Sequence, residues 1–149
     1  MKIRCLYDKL VAVELLKPHP QNPAIHSKEQ IKSLAKILNY QGWRWPIKVS
    51  IQSGLITSGH GRLEAAKLNK WSEVPVNYQS YDSQDQELAD LIADNSINEA
   101  TLIDMSIVNS LVPELGPDFD VEMLAIKDFE IEPADRIKEE KPKCPTCGK

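Results

Sequence analysis

The residues best suited to chemistry stand together in Gly59-His60-Gly61-Arg62, where the apolar run Leu55-Ile56-Thr57-Ser58 turns helical. A helix N-terminus leaves backbone N–H groups unpaired and carries partial positive charge. Glycines there let a phosphate approach the backbone and allow unusual dihedral angles. Arg62, in the first turn, adds a forked donor matched to phosphate oxygens. His60 adds a hydrogen bond or a proton. The four residues read as an anion site. They also fit a tight strand–helix turn with Arg62 at the surface.

Two other clusters carry chemistry. Cys144-Pro-Thr-Cys147-Gly has the spacing of two thiolate ligands, half of a zinc ribbon. A second copy of the chain would complete the site, or the second half is missing from this chain, or the pair stays without metal. Trp43 and Trp45 bracket Arg44. Aromatic rings beside a cation stack on bases, or they close the edge of a core.

These residues need a frame. Val11, Val13 and Leu15 alternate as in a strand, and the three prolines of Lys17–Pro23 impose a stiff loop. Ser27-x-x-Gln30 is a capping box for a helix with Ile31, Leu34, Ala35 and Leu38 on one face, ended by Gly42. Ile47, Val49 and Ile51 alternate as a half-buried strand, and Leu55–Ser58 returns beside it as a hairpin. A helix from Gly59 to about Asn69 precedes a strand presenting Val74, Val76 and Tyr78. Ser83-x-x-Gln86 caps the next helix, with Leu88, Leu91 and Ile92. Helices over Leu102–Val112 and after Asp120 follow. The expected fold is α+β: a domain over 1–100, a helical extension over 101–129, and a flexible tail over 130–149.

The chain has 149 residues, 42% hydrophobic and 27% charged, with net charge −4. Residues 1–80 hold 12 basic against 5 acidic side chains, whereas 81–149 hold 6 against 17. The basic half favours a phosphate-bearing partner; the alternative is a dipolar, soluble surface. The acidic helices argue against a sequence-specific DNA reader. No apolar run reaches membrane-spanning length and the N-terminus has no leader pattern, so a cytoplasmic protein is expected.

The order of several motifs resembles the N-terminal domain of the ParB family, which shares its fold with sulfiredoxin. They are Asn22–Pro23, Ile31-x-x-Leu34-Ala35, Pro46–Ile47, Gly59-x-x-Arg62-x-x-Ala65 and Val74-Pro75-Val76, and the likeness runs over about residues 9 to 100. The resemblance implies a small mixed sheet with helices, and a nucleoside triphosphate held with Mg²⁺ at Gly59, His60, Gly61 and Arg62. It places Asn22 at the rim, and Asp94 and Asn95 on the following helix, with Asp94 facing the metal. The family's Glu-Asn-x-x-Arg element is here Asp94-Asn95-Ser96-Ile97-Asn98, and its Gly-Glu-Arg-Arg turn is Gly59-His60-Gly61-Arg62.

"GHGRLEAAKL" and "LADLIADNSINEATLID" are similar to phage and prophage ParB-like domains that precede DNA methyltransferases. That implies a bacterial or phage-infected cell and a module that switches or guides DNA binding or modification. No methyltransferase motif occurs in the sequence. His60 replaces the nucleophilic cysteine of sulfiredoxin, which argues against reductase chemistry. If the Asn22–Pro23 loop folds over the turn, His19 and His26 line the site; otherwise they are exposed. Two further functions fit: a phosphotransferase, NTPase or nuclease using His60 or Asp94, and a protein-interaction or homodimerisation module built on the acidic helices.

Overall fold

The computed structural model describes residues 1–99 and 101–126. The fold is α+β. Five strands, β1 (Lys9–Ala12), β2 (Lys17–Pro18), β3 (Ile47–Ser50), β4 (Leu55–Ser58) and β5 (Glu73–Gln79), form one mixed sheet in the order β1-β5-β3-β4-β2. The helices are α1 (Lys28–Gln41), α2 (His60–Leu68), α3 (Gln84–Glu99) and α4 (Met105–Leu111). β3 and β4 form the expected antiparallel hairpin, and β3 pairs in parallel with β5. Among the described residues no helix is long and apolar enough to cross a membrane.

Strand alternation divides the structure into layers. Ile47, Val49, Ile56, Val74 and Val76 face α1 and α2, whose Ala35, Leu38, Leu63, Ala65 and Ala66 complete a core closed by Trp43. Lys48 and Ser50 alternate to the opposite face of β3. There they meet Asp90 and Glu87 of α3 at 2.9 and 2.6 Å. The helices therefore cover both sides of the central strands.

Several expectations change. The first strand stops at Ala12, and Val13–Leu15 forms a 3₁₀ turn that buries Val13 and leaves Leu15 71% exposed. β2 was not expected. Pro18 has no N–H to donate, so only a two-residue edge strand forms. Ile51 is not a strand residue: the Gly54 N–H donates to Ser50 O at 3.0 Å, so the chain turns and leaves Ile51 exposed. Ile92 is also exposed, because Glu87 and Leu91 define the inward face of α3. α4 starts at Met105, where the Asp104 carboxylate accepts the N–H groups of Ser106 and Ile107. α4 contributes no buried residue, and its Ile107 and Leu111 are exposed.

Residues 119–126 fold back on α1. Lys36 pairs with Asp120 and Glu122 at 2.8 Å each, and Phe119 meets Tyr40 edge to face at 5.3 Å. The tail expected over 130–149, with Cys144 and Cys147, lies outside the described residues.

Candidate functional site

β4 delivers the chain to Gly59, whose φ of 100° lies in the left-handed region. A Cβ there would stand 2.9 Å from Arg62 Nη2, so conformation and space both demand glycine. Among the described residues no side chain caps α2. Leu63 is the first residue to bond back, to Gly59 O at 3.0 Å. The N–H groups of His60, Gly61 and Arg62 therefore form the open end of α2, where its dipole favours an anion.

This end looks into a cleft of 1190 Å³ between α1, the turn, the C-terminal half of α3 and the Val121–Ile126 segment. Gly59, His60, Gly61, Arg62, Asp94 and Asn95 all reach it. Asp94 accepts the Ser58 hydroxyl at 2.8 Å through Oδ2. Asn95 donates to Leu91 O at 2.7 Å and to Asn22 Oδ1 at 3.4 Å, which ties the Asn22–Pro23 loop to α3. The loop does fold over the turn.

Arg62 differs from expectation. It is neither at the surface nor extended as a free fork. It folds back across Gly59, with Nη2 donating to Pro46 O at 3.2 Å and Nε buried without a partner among the described residues. Burial pulls its pKa down, while Asp94 acts in the opposite sense. Its charge sits beneath the turn, and one buried donor is left unsatisfied.

The histidines divide by their hydrogen bonds. His19 is buried, not an exposed loop residue. Its Nδ1 accepts from Gln21 N–H at 3.1 Å, and Nε2 lies 3.9 Å from Glu87 Oε1. His60 Nε2 accepts from His19 N–H at 3.1 Å, so the proton sits on Nδ1 and the ring is a donor. The lone pair that general-base work by His60 would use is taken. His26 Nδ1 lies 3.2 Å from Gln30 Oε1. Its Nε2 edge packs against Gly61, where a Cβ would come within 3.3 Å. Gln30 therefore completes only half of the capping box: its N–H takes Ser27 Oγ at 3.0 Å, while its side chain holds His26. His26, not His60, brings a ring nitrogen, Nε2, to the site without a hydrogen-bond partner among the described residues.

Burial pushes the His60 pKa down to about 4, aided by His19 and His26 and opposed by Asp94. Its ordinary value is 6.5, so between these limits the unfolded chain binds more protons. The His60 contribution to stability is complete above pH 6.5 and is lost as pH falls towards 4. Chemical denaturation across that range is expected to show this loss, and His60→Gln, which keeps an acceptor, to reduce it.

Sequence reasoning missed Glu87. It is 5% exposed and accepts the Ser50 and Ser53 hydroxyls at 2.6 Å each. One turn on, Asp90 takes Lys48 Nζ at 2.9 Å and Tyr81 OH at 2.6 Å. Burial raises Asp90, but these two donors outweigh it and hold it below the usual range; burial and Asp90 push Tyr81 up to about 12. Glu87, Asp90 and Asp94 thus form a ladder of carboxyl groups docking α3 on the hairpin. The spacing i, i+3, i+7 was the available signal.

Trp43 is fully buried against Trp71, with centroids 5.9 Å apart, whereas Trp45 is 72% exposed. Among the described residues no group of three or more His, Cys, Asp or Glu is placed to hold a metal. A magnesium ion needs fewer protein ligands, since it keeps waters and takes phosphate oxygens. Asp94, with one oxygen engaged by Ser58, fits that role.

No protein-family model matches the chain. It is 35% identical over 75 residues to the ParB-like nuclease domain-containing protein YnaK of Escherichia coli (strain K12), covering 50% of this chain and 82% of that protein. The fold is similar to the C-terminally truncated chromosome-partitioning protein ParB from Caulobacter crescentus complexed with CTP-gamma-S. The TM-score is 0.57 at 21% identity, over 72% of this chain and 63% of that one. The same protein complexed to the centromeric parS site gives a TM-score of 0.52 at 20% identity, over 72% and 58%. The chain therefore spans less than two thirds of those partitioning structures, and the likeness to them is one of fold.

Proposed function

Because the chain belongs to the family of ParB-like nuclease domain proteins, we propose that it binds a nucleoside triphosphate with Mg²⁺ at the N-terminus of α2. Binding would switch or guide a DNA-related activity, in the setting of phage or prophage DNA modification. The observation that carries this reading is the uncapped α2 end opening into a cleft that Asp94 also lines. The N–H groups of His60, Gly61 and Arg62 would hold phosphate oxygens, with the Arg62 charge behind them. His60, a neutral donor, would add a hydrogen bond. Asn22 and Asn95 would fix the rim, and Asp94 would hold magnesium through its waters. Magnesium would supply charge to the phosphates.

The test is a thermal-shift screen of CTP, ATP, GTP and ADP, each with and without Mg²⁺. A ligand at about 100 times its Kd stabilises the native state by roughly 2.7 kcal/mol. A hit names the base, and absence of any shift overturns the reading. A second reading is hydrolytic, favoured by the open His26 Nε2 beside Gly61. Turnover of nucleotide or DNA in the same samples would identify it.

A further inference from the structure

The N-terminal residues run beside the chain that leaves α1. Ile3 and Trp43 form a parallel bridge, with Trp43 N–H on Lys2 O at 2.9 Å and Arg4 N–H on Trp43 O at 2.8 Å. Gly42 makes this approach possible: a Cβ there would lie 2.8 Å from Lys2 O. Side chains alternate along extended backbone. Ile3 and Trp43 turn inward to the core, so Lys2, Arg4 and Arg44 turn outward together. All three are exposed, and none has a carboxylate partner among the described residues. At Arg44–Trp45 the chain bends before β3, which carries the Trp45 indole out into solvent.

An indole 72% in water is unusual for so large an apolar ring. Here it follows Arg44 directly in the chain, and the backbone of Lys2 to Arg4 runs beside the preceding Trp43; the three cations have no carboxylate partner among the described residues. Flat apolar surface beside clustered positive charge matches a polyanion that also carries rings. We propose that Trp45, with Arg44, Arg4 and Lys2, is a stacking platform for single-stranded nucleic acid. An unpaired base lies on the indole, and the neighbouring phosphates meet the three cations. The inference deepens the DNA-related part of the proposed function and does not depend on nucleotide at α2. The Gly59–Arg62 turn takes one phosphate chain in a cleft, whereas this surface is open and suits a continuous strand. It also places nucleic-acid contact in the basic half, away from the acidic α3.

The experiment titrates the full chain with single-stranded oligo(dT), the corresponding duplex and inorganic polyphosphate, without nucleotide, following tryptophan emission and binding. Trp43 is buried and Trp71 is half-buried against it, so the quenching that is lost in Trp45→Ala is the part that reports on Trp45. The strand is expected to quench emission and to bind more tightly than polyphosphate. Trp45→Ala should weaken strand binding about 5- to 100-fold, Trp45→Phe should restore most of it, and the melting temperature should stay unchanged. Arg44→Ala should lower the salt dependence by about 0.7 in the log–log slope. Failure to bind the strand overturns the proposal. So does equal binding of polyphosphate or duplex with no effect of Trp45→Ala. Nucleotide binding at α2, measured separately, is untouched by either outcome.

Discussion

Glu87→Ala is expected to lose about 3–5 kcal/mol of stability, a large fraction of what a domain of this size possesses. Glu87 is 5% exposed and is the common acceptor for the Ser50 and Ser53 hydroxyls at 2.6 Å, with His19 Nε2 at 3.9 Å. Truncation leaves the buried Ser50 hydroxyl and the buried His19 imidazole facing a void, while the exposed Ser53 hydroxyl turns to water. Unsatisfied buried groups cost far more than the net gain of the bonds they lose. The effect should not stay local. His19 positions His60 through its backbone N–H, so loosening His19 loosens the turn that carries the site. Glu87→Gln keeps the shape and one acceptor oxygen, and hydroxyls can reverse their donation, so about 1–2 kcal/mol is expected there. Urea denaturation of the two variants checks both values. Equal, small losses would show that the carboxyl group does not hold α3 in place.

Gly59→Ala should lose about 2–3 kcal/mol and, in the same variant, the response to nucleotide. Part of the cost is the left-handed backbone at φ 100°, which an alanine adopts only with strain. The rest is steric, since the new Cβ would stand 2.9 Å from Arg62 Nη2 and 3.2 Å from Nε. The guanidinium would have to leave the Pro46 carbonyl, or the turn would have to open. Either movement displaces the N–H groups at the end of α2. A control without the steric part is available at Gly54, where φ is 70° and nothing lies within 4 Å of a Cβ. Gly54→Ala should show only the backbone cost and keep any nucleotide response. This comparison is cleaner than charge reversal at Arg62, which would bring a carboxylate towards Asp94 in a half-buried place.

Much of the frame was legible because its signals are local. Ser27 does cap α1, its Oγ accepting the Gln30 N–H at 3.0 Å, and the Ser83 Oγ does accept the Gln86 N–H at 3.2 Å. The hairpin, α2 and β5 follow from alternation and turn residues, and the Gly59 turn sits where strand gives way to helix. What escaped depends on partners distant in sequence. Hydrophobic periodicity assigns Glu87 and Asp90 to water, because a carboxyl group facing serines, a lysine or a tyrosine looks like one facing solvent. The same bias put Ile92 inside. β2 needs β4 to exist at all, and two residues with a proline carry no strand pattern. The inward fold of Arg62 was invisible for a similar reason: its acceptor, the Pro46 carbonyl, is a backbone group 16 residues away. The separate fates of Trp43 and Trp45 depend on the bridge to Ile3, which no local pattern announces.

The measurement that bears most directly on the central claim is calorimetric titration of CTP, and of whichever triphosphate gives the largest thermal shift, with and without Mg²⁺. It is made on the parent chain and on Asp94→Asn, which keeps an oxygen for the Ser58 hydroxyl while removing the charge. One site per chain is expected in the parent, strengthened by Mg²⁺. In Asp94→Asn the Mg²⁺ effect disappears while the melting temperature without nucleotide is retained. Absence of binding by any triphosphate, or Mg²⁺-dependent binding that Asp94→Asn leaves intact, would contradict a phosphate and metal site at the N-terminus of α2.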